Sequence, residues 1–214
     1  MTTNDPTIIL ACSGPALRDI DLAAQPHPIC AISTAIQFLP RPHYWAFVDR
    51  PNREYGPDEG WEIMADQFVR KVCPAYIRDK THRHIVRNIT YVPYSDGLDA
   101  RQRRFLDGGP ALLRMTHKSI LFAVQWFALN GWTRLVFAGC NLLTDIVDPY
   151  CWEVRRTVSQ QKVDQQNTDH RQIAAILREW QPIARQRGIE FLSWTPDSPI
   201  NDFMEPFMVT AETR

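Results

Sequence analysis

Residues Ile8–Leu17 read IILACSGPAL and decide the fold, because a short apolar run passes into a turn of small residues and then into a helix start. The run from Thr7 to Cys12 has the length and β-branched content of a buried strand. Gly14 lets the backbone approach a ligand, and a helix beginning near Pro15 would point unpaired N–H groups at an anion. The pattern suits a phosphate-binding turn, and it also suits an ordinary strand-helix turn.

Similar apolar runs recur along the chain and extend this arrangement. Strands are predicted at Ile29–Ser33 and Tyr44–Asp49, with helical segments at Pro15–Ala24 and Thr34–Leu39 between the first three strands. Strands that alternate with helices predict βαβ crossovers and a parallel sheet. Later predicted elements are the strand-like Ile85–Tyr94, a helix over Ile120–Ala128, a strand at Leu135–Ala138, a helix capped by Asn167 and Thr168, and a strand at Ile189–Trp194.

The fold prediction is therefore one Rossmann-like α/β domain over residues 1–214, with a mainly parallel sheet and helices on both faces. The polar stretch 144–166 has no sustained hydrophobic period, and we expect it to be a mobile lid loop. Pro182 is expected to kink or end the last helix. No repeat, low-complexity segment or linker divides the chain.

Composition excludes several classes of protein. Apolar residues make up 44% and charged residues 22% of the 214 residues, which is typical of a globular domain. No apolar run is long enough for a membrane span or a secretory signal. The 24 basic and 24 acidic residues balance, which argues against nucleic acid as a partner. Five cysteines without a C-x-x-C pair favour buried reduced thiols and a cytoplasmic protein over a disulfide framework or zinc site.

Polar residues follow several of the predicted strands. Ser33 and Thr34 follow the second strand, Asp49 ends the third, and Asn141 follows the strand at Leu135–Ala138. Ligands of open α/β sheets collect at the carboxyl ends of the strands, so these side chains are candidates for nucleotide binding together with Ser13, Gly14 and Pro15. Thr116 and Ser119 add hydroxyls near the start of the long helix, where capping is the alternative role.

Two groups of residues could supply catalytic chemistry. His170 follows the predicted lid near a helix start, where a positive helix end favours the neutral imidazole that accepts a proton. A surface histidine without a role has the same pattern. Asp145 and Asp148 could share a divalent ion with substrate phosphates, but no third ligand is evident, so no metal is expected in the main interpretation.

Three ordered segments resemble the bacterial lipooligosaccharide sialyltransferases. Ile8–Asp21 (IILACSGPALRDID) is similar to their opening strand and x-G-x-G-P-S-L-x-x-I-D segment. Leu135–Asn141 (LVFAGCN) is similar to their strand ending in S-G-I-D. Asn167–Phe203 resembles their closing N-T-D helix, strand and C-P-N-S-L-L, which reads Thr195-Pro196-Asp197-Ser198-Pro199-Ile200 in this chain. A more distant resemblance, through the G-P-S-L opening and a terminal S-P-x-S motif, is to the archaeal-type hydroxymethylpterin pyrophosphokinase group.

The resemblance implies a Rossmann-like domain with a lid that binds a cytidine-monophosphate sugar without an essential metal. It places Ser13, Ser33 and Asp49 where the family has nucleotide-contacting asparagines, and a hydroxyl pair within Thr116–Ser119. Tyr150 stands for one of two tyrosines that hold the leaving phosphate, and Leu143 replaces the other. The family's histidine base precedes its N-T-D segment, where this chain has Asp164, so Asp164 and His170 are both candidates for the base.

These observations predict a glycosyltransferase that moves a sugar from a nucleotide-linked donor, with CMP as the candidate nucleotide, to an acceptor hydroxyl. The nucleotide sugar is a co-substrate, and no tightly bound cofactor is expected. One alternative is a pyrophosphokinase-like transferase, which would need Mg²⁺ held by Asp49, Asp145 or Asp148. Another is a non-catalytic nucleotide-binding scaffold of the same fold. The seven tryptophans and ten phenylalanines leave room for a homo-oligomer.

Overall fold

An eight-stranded sheet forms the centre of the computed structural model, which describes residues 6–39, 41–49, 59–78, 86–95, 113–114, 118–144, 151 and 159–209. Its strands are β1 Thr7–Ala11, β2 Ile29–Ile32, β3 Tyr44–Ala46, β4 Arg70–Pro74, β5 Ile89–Val92, β8 Arg134–Ala138, β9 Glu190–Trp194 and β10 Glu205–Pro206. Their order across the sheet is β10-β9-β8-β1-β2-β3-β4-β5, and neighbouring strands within the described residues all run parallel. β6 (Tyr94–Ser95) and β7 (Leu113–Arg114) form a separate parallel pair.

The central strands lie where the apolar runs predict them. β1 is buried at every residue, and it pairs with β8 over its whole length, from Thr7 opposite Arg134 to Ala11 opposite Ala138. A strand buried on both faces has no polar face and therefore reads as a continuous apolar run. The parallel α/β fold predicted from the sequence is confirmed.

Helices and 3-10 helices cover both faces of the sheet. Ile8 and Leu10 of β1 pack into a core with residues of α2 (Ser119–Leu129) and α3 (Gln160–Gln186). Ile9 and Ala11 pack into a second core with Met64 of α1 (Glu59–Ala65) and with the 3-10 helices Pro15–Asp19, Leu22–Ala24, Ser33–Gln37 and Ala75–Ile77. Successive side chains of a strand point to opposite faces, so one short strand contributes to both cores.

α2 and α3 differ in what they bury. The predicted helix over Ile120–Ala128 corresponds to α2, which buries nine consecutive residues from Ser119 to Phe127 rather than a single stripe. α3 shows the expected amphipathic pattern, with a buried side that includes Ile173, Leu177 and Trp180.

The predicted start of α3 at Asn167 and Thr168 is wrong. The helix begins at Gln160, and Ser159 caps it by accepting a hydrogen bond from the Lys162 N–H. Residues 160–166 of the predicted lid are therefore helical, while 145–150 and 152–158 lie outside the described residues. Residues 160–166 are mostly polar, because the first two turns of the helix face mostly solvent. The sequence therefore shows no hydrophobic period there, and the helix start could not be recognised. Pro182 does not end the helix, which continues to Gln186.

The order of the strands places a crevice between β1 and β8. The chain adds β2, β3, β4 and β5 on one side of β1 and then returns to its other side with β8, β9 and β10. The connections therefore leave β1 and β8 in opposite directions. Open α/β sheets bind ligands at the carboxyl ends of strands at such a switch point.

The cysteines and helices add three further findings. All five cysteines are free and buried, as predicted. None of the helices in the described ranges has the length and apolar character needed to cross a membrane. The same residues contain no cluster of three or more His, Cys, Asp or Glu side chains able to hold a metal ion.

Lys71 on β4 provides a test of this packing. Its side chain is buried, and Nζ donates to the backbone carbonyls of Asp66 and Arg87, the latter at 3.0 Å. We expect Lys71→Met to lower the free energy of unfolding by about 1–3 kcal/mol, because both carbonyls lose their donor. Urea denaturation measures this, and Lys162→Met, on the exposed start of α3, is the matched control.

The difference in stability between the wild type and Lys71→Met should depend on pH. This dependence separates the effect of burying the lysine from the effect of its hydrogen bonds. Burial lowers the pKa of Lys71 from 10.5 to about 8, against the opposing effect of Asp66. Between these two values the unfolded chain binds more protons than the native protein, so the stability of the wild type relative to Lys71→Met rises as the pH increases. If the difference in stability between the wild type and Lys71→Met stays constant between these two pH values, the burial of the charged lysine is contradicted.

Candidate functional site

A pocket of about 270 Å³ lies at the carboxyl ends of β1, β2, β3 and β8, at the switch point of the sheet. Its wall is completed by the start of α2 and by one side of α3. The predicted residues Ser13, Gly14, Ser33, Thr34, Asp49, Ser119, Asn141 and His170 all line it. Residues from six separate segments therefore meet at one place, as expected for a parallel sheet.

The floor of the pocket is formed by two turns that interlock after β1 and β8. The Cys12 N–H donates to the Ala138 carbonyl at 2.8 Å, and the Gly14 N–H donates to the Gly139 carbonyl at 2.9 Å. A Cβ added to Gly14 would lie 2.3 Å from Asn141 Oδ1 and 2.4 Å from the Gly139 oxygen. Gly14 is thus required because the two turns pack too closely for any side chain.

The side chain of Asn141 belongs partly to this framework. Its Oδ1 accepts a hydrogen bond from the Ala16 N–H at 3.1 Å, at the start of the 3-10 helix Pro15–Asp19. A ligand in the pocket can therefore be offered the Asn141 Nδ2 donor, while one lone pair of Oδ1 is already used by the Ala16 N–H. The predicted helix start at Pro15 is a 3-10 helix of five residues, and Pro15 itself is not among the residues that line the pocket.

The motif Thr195–Ile200 holds the end of β8 in position through hydrogen bonds to its backbone. Thr195 Oγ1 accepts from the Cys140 N–H at 2.9 Å and donates to the Phe137 carbonyl at 3.0 Å. Ser198 Oγ donates to the Cys140 carbonyl at 2.6 Å. Both side chains are buried, so these bonds fix the loop that carries Asn141. Sequence reasoning recognised the motif but not this supporting role.

The polar residues after β2 and β3 are held in defined positions. Ser33 has a φ of 50°, in the left-handed region, and its carbonyl accepts from Trp45 Nε1 at 2.9 Å. Non-glycine residues adopt this conformation at a cost, and such residues concentrate at functional sites. Ser119 Oγ accepts from the Val48 N–H at 3.3 Å, which joins the start of α2 to the residue before Asp49.

His170 lies in the interior of α3 rather than near its start, so the predicted effect of the helix end on its charge is wrong. Burial nevertheless lowers the pKa of His170, with Asp169 raising it and Lys118 lowering it. His170 Nδ1 lies 3.4 Å from Thr144 Oγ1. With a proton on Nδ1 donated to this hydroxyl, Nε2 is the nitrogen left to accept a proton.

Asn167 holds Thr144 in place beside His170. Its Oδ1 accepts from the Thr144 N–H at 2.7 Å, and its Nδ2 donates to the Thr144 carbonyl at 3.1 Å. This two-bond contact joins α3 to the loop after β8. The sequence pattern suggested a helix cap for Asn167, whereas the structure shows a side chain that fixes the histidine's hydrogen-bond partner.

A substitution of Asn167 tests this arrangement. We expect Asn167→Ala to lower the free energy of unfolding by about 1–3 kcal/mol, because two backbone groups of buried Thr144 lose their partners. Thermal unfolding measures this effect. Gln172→Ala, on an exposed position of the same helix, should leave the stability unchanged. Equal effects of the two substitutions would contradict the role of Asn167.

One predicted site residue within the described ranges, Asp164, is not part of the pocket. Asp164 is exposed on α3, accepts a hydrogen bond from Gln160 Nε2 at 2.8 Å, and does not line the pocket. Thr116, Asp145, Asp148 and Tyr150 lie outside the described residues. Asp169 was missed as a site residue although it lines the pocket, together with Lys118 from the predicted helix start. Asp169 directly precedes the predicted base His170 in the sequence, and this adjacency was the signal that could have identified it.

The comparisons with known proteins concern the fold. No protein-family model matches the chain, and no curated protein matches it. Two solved structures match with a TM-score of 0.50 each and 94% coverage of this chain. One is the sialyltransferase CstII from Campylobacter jejuni with cytidine-5'-monophosphate, at 12% identity over 84% of that chain. The other is a variant of the sialyltransferase CST-II with CMP, at 11% identity over 85% of that chain. The chain therefore shares a sialyltransferase-like α/β fold with these enzymes.

Proposed function

We propose that the protein is a glycosyltransferase that moves a sugar from a CMP-linked donor to an acceptor hydroxyl. The main support is that seven of the nine predicted nucleotide-binding residues and the predicted base, His170, line one pocket at the switch point of the sheet. The solved structures that share the fold are sialyltransferases in complex with CMP, which supports this choice of donor.

The residues around the pocket divide the reaction between them. Ser13, Ser33, Asp49 and Ser119 supply donors and acceptors for the nucleotide, and the close turns at Gly14 let the ligand approach the backbone. Polar groups of this kind orient a nucleotide without the need for a metal.

His170 is the proposed base. The acceptor oxygen attacks the anomeric carbon of the sugar while its proton passes to His170 Nε2. The bond from that carbon to the donor phosphate oxygen breaks, and CMP leaves with the electron pair. Tyr150 lies outside the described residues, and its contact with the leaving phosphate stays a prediction.

A nucleotide screen by thermal shift tests the proposal. The candidates are CMP, CDP, UDP, GDP, ADP and ATP, each with and without Mg²⁺. We expect CMP to raise the unfolding temperature equally with and without the metal, since a ligand at 100 times its Kd adds about 2.7 kcal/mol to the stability of the state that it binds.

The other results point to the other functions. A shift produced by ATP only when Mg²⁺ is present would favour the pyrophosphokinase-like transferase, for which Asp49 in the pocket is an available ligand. CMP binding without release of CMP from any CMP-linked sugar would favour the scaffold. No shift with any nucleotide would remove the proposed function.

A further inference from the structure

Lys118 and Asp169 form an ion pair at the pocket, directly beside His170. Lys118 is the residue before α2, and Asp169 precedes His170 on α3, so the pair connects two helices that flank the pocket. The side chains remain 30% and 28% exposed. Neither charge is sealed from solvent, and a ligand in the pocket can compete for both.

The charges around the pocket are few. Among the described residues that line it, Lys118 is the one Lys or Arg, while Asp49 from the end of β3 and Asp169 from α3 are the carboxylates. The remaining titratable groups are His170 itself and the thiols of Cys12 and Cys140 on the floor. The phosphate of a nucleotide in this pocket therefore has Lys118 as its cationic partner.

We propose that Lys118 exchanges Asp169 for the phosphate of the bound donor, and that the released Asp169 carboxylate strengthens His170 as a base. This inference rests on the proposed function. It makes Asp169 a positioning residue that acts through His170, and it makes Lys118 the link between donor binding and the base. The exchange forms and breaks only ionic contacts and hydrogen bonds.

The electrostatics of the site give the direction of the effect. Asp169 raises the pKa of His170, and Lys118 lowers it. When Lys118 is paired with Asp169, the positive charge also screens the carboxylate. When Lys118 moves to a phosphate, it lowers the pKa of His170 less and no longer screens the Asp169 carboxylate. Both changes raise the pKa of His170, so the histidine binds a proton more strongly once the donor is in place. Proton removal is then favoured only in a site that holds a donor.

An NMR titration of histidine-labelled protein tests the exchange. The His170 resonance is identified as the one that disappears in His170→Asn. In the wild type, CMP should raise the pKa of His170, whereas cytidine, which has no phosphate, should leave it unchanged. In Lys118→Gln the pKa should already be higher without CMP, and the affinity for CMP should fall by about tenfold.

Asp169→Asn distinguishes the exchange from a direct effect of the phosphate. If the phosphate alone acts on His170, CMP raises the pKa equally in Asp169→Asn and in the wild type, which overturns the inference. The exchange predicts a smaller rise in Asp169→Asn. Because both side chains are partly exposed, we expect unfolding temperatures close to that of the wild type.

The failure of the proposed function is recognised separately. If calorimetry shows that CMP does not bind the wild type, the proposed function fails and this inference fails with it. If CMP binds and the pKa of His170 stays constant, the inference alone is overturned.

Discussion

We expect His170→Asn to reduce turnover of a CMP-linked sugar on the order of 10²–10⁴-fold, because general-base catalysis contributes about that factor. Asparagine keeps a polar side chain of similar size but cannot accept the proton. The affinity for CMP should stay unchanged, since the predicted nucleotide-binding residues lie on other segments. The rate is measured as CMP release, and the affinity by calorimetry.

The matched control is Asp164→Asn on the same helix. Asp164 is exposed and does not line the pocket, so its substitution should leave the rate intact. A loss of activity in Asp164→Asn with full activity in His170→Asn would reverse the assignment of the base. Full turnover after both substitutions would remove both candidates.

The pH profile should report the same histidine. The base must be neutral, and burial lowers the pKa of His170 below its usual 6.5. The acid limb of kcat/KM, which reports the free enzyme, should therefore be centred below pH 6.5. An acid limb centred above pH 6.5 would assign it to a different group or show that Asp169 outweighs the effect of burial.

The second large effect is expected at Gly14. Gly14→Ala places a methyl carbon 2.3 Å from Asn141 Oδ1 and 2.4 Å from the Gly139 oxygen, far closer than atoms can pack. The turns after β1 and β8 must separate, which should cost about 1–3 kcal/mol or more of stability. The same movement displaces Ser13 and Asn141, so CMP binding should be lost. Denaturant unfolding and calorimetry measure the two quantities.

Gly131 provides the contrasting control. Its φ is +83°, and nothing lies within 4 Å of an added Cβ. Gly131→Ala should therefore cost about 1 kcal/mol from backbone strain alone and leave CMP binding unchanged. If Gly14→Ala were no more destabilising than Gly131→Ala, the close approach of the two turns would not be the reason for glycine at position 14.

Several elements could not be predicted because their sequence signals are weak or mixed. β4 has Lys71 inside its buried stretch, and a buried lysine is recognisable only when the carbonyls of Asp66 and Arg87 are seen around it. α1 has seven residues and β10 has two, so neither is long enough to show a clear hydrophobic period. The first turns of α3 carry mainly polar residues, and this led to a prediction of loop where there is helix.

The sequence by itself determined the parallel sheet, the turn after β1 and eight of the residues that line the pocket. Strands buried on both faces must be continuously apolar, and the polar residues that end them must share one edge of the sheet. Ser13, Ser33 and Asp49 could be recognised for this reason.

Only the tertiary structure decided how the remaining site is built. The hydrogen bonds of Asn167 with Thr144, of Thr195 and Ser198 with the end of β8, and of Lys118 with Asp169 join segments far apart in the chain. No local pattern reports which backbone group or charge a side chain will meet after folding. The separation of His170 from Asp164 has the same origin, since the pocket lies on one side of α3 and a linear sequence does not show which side that is.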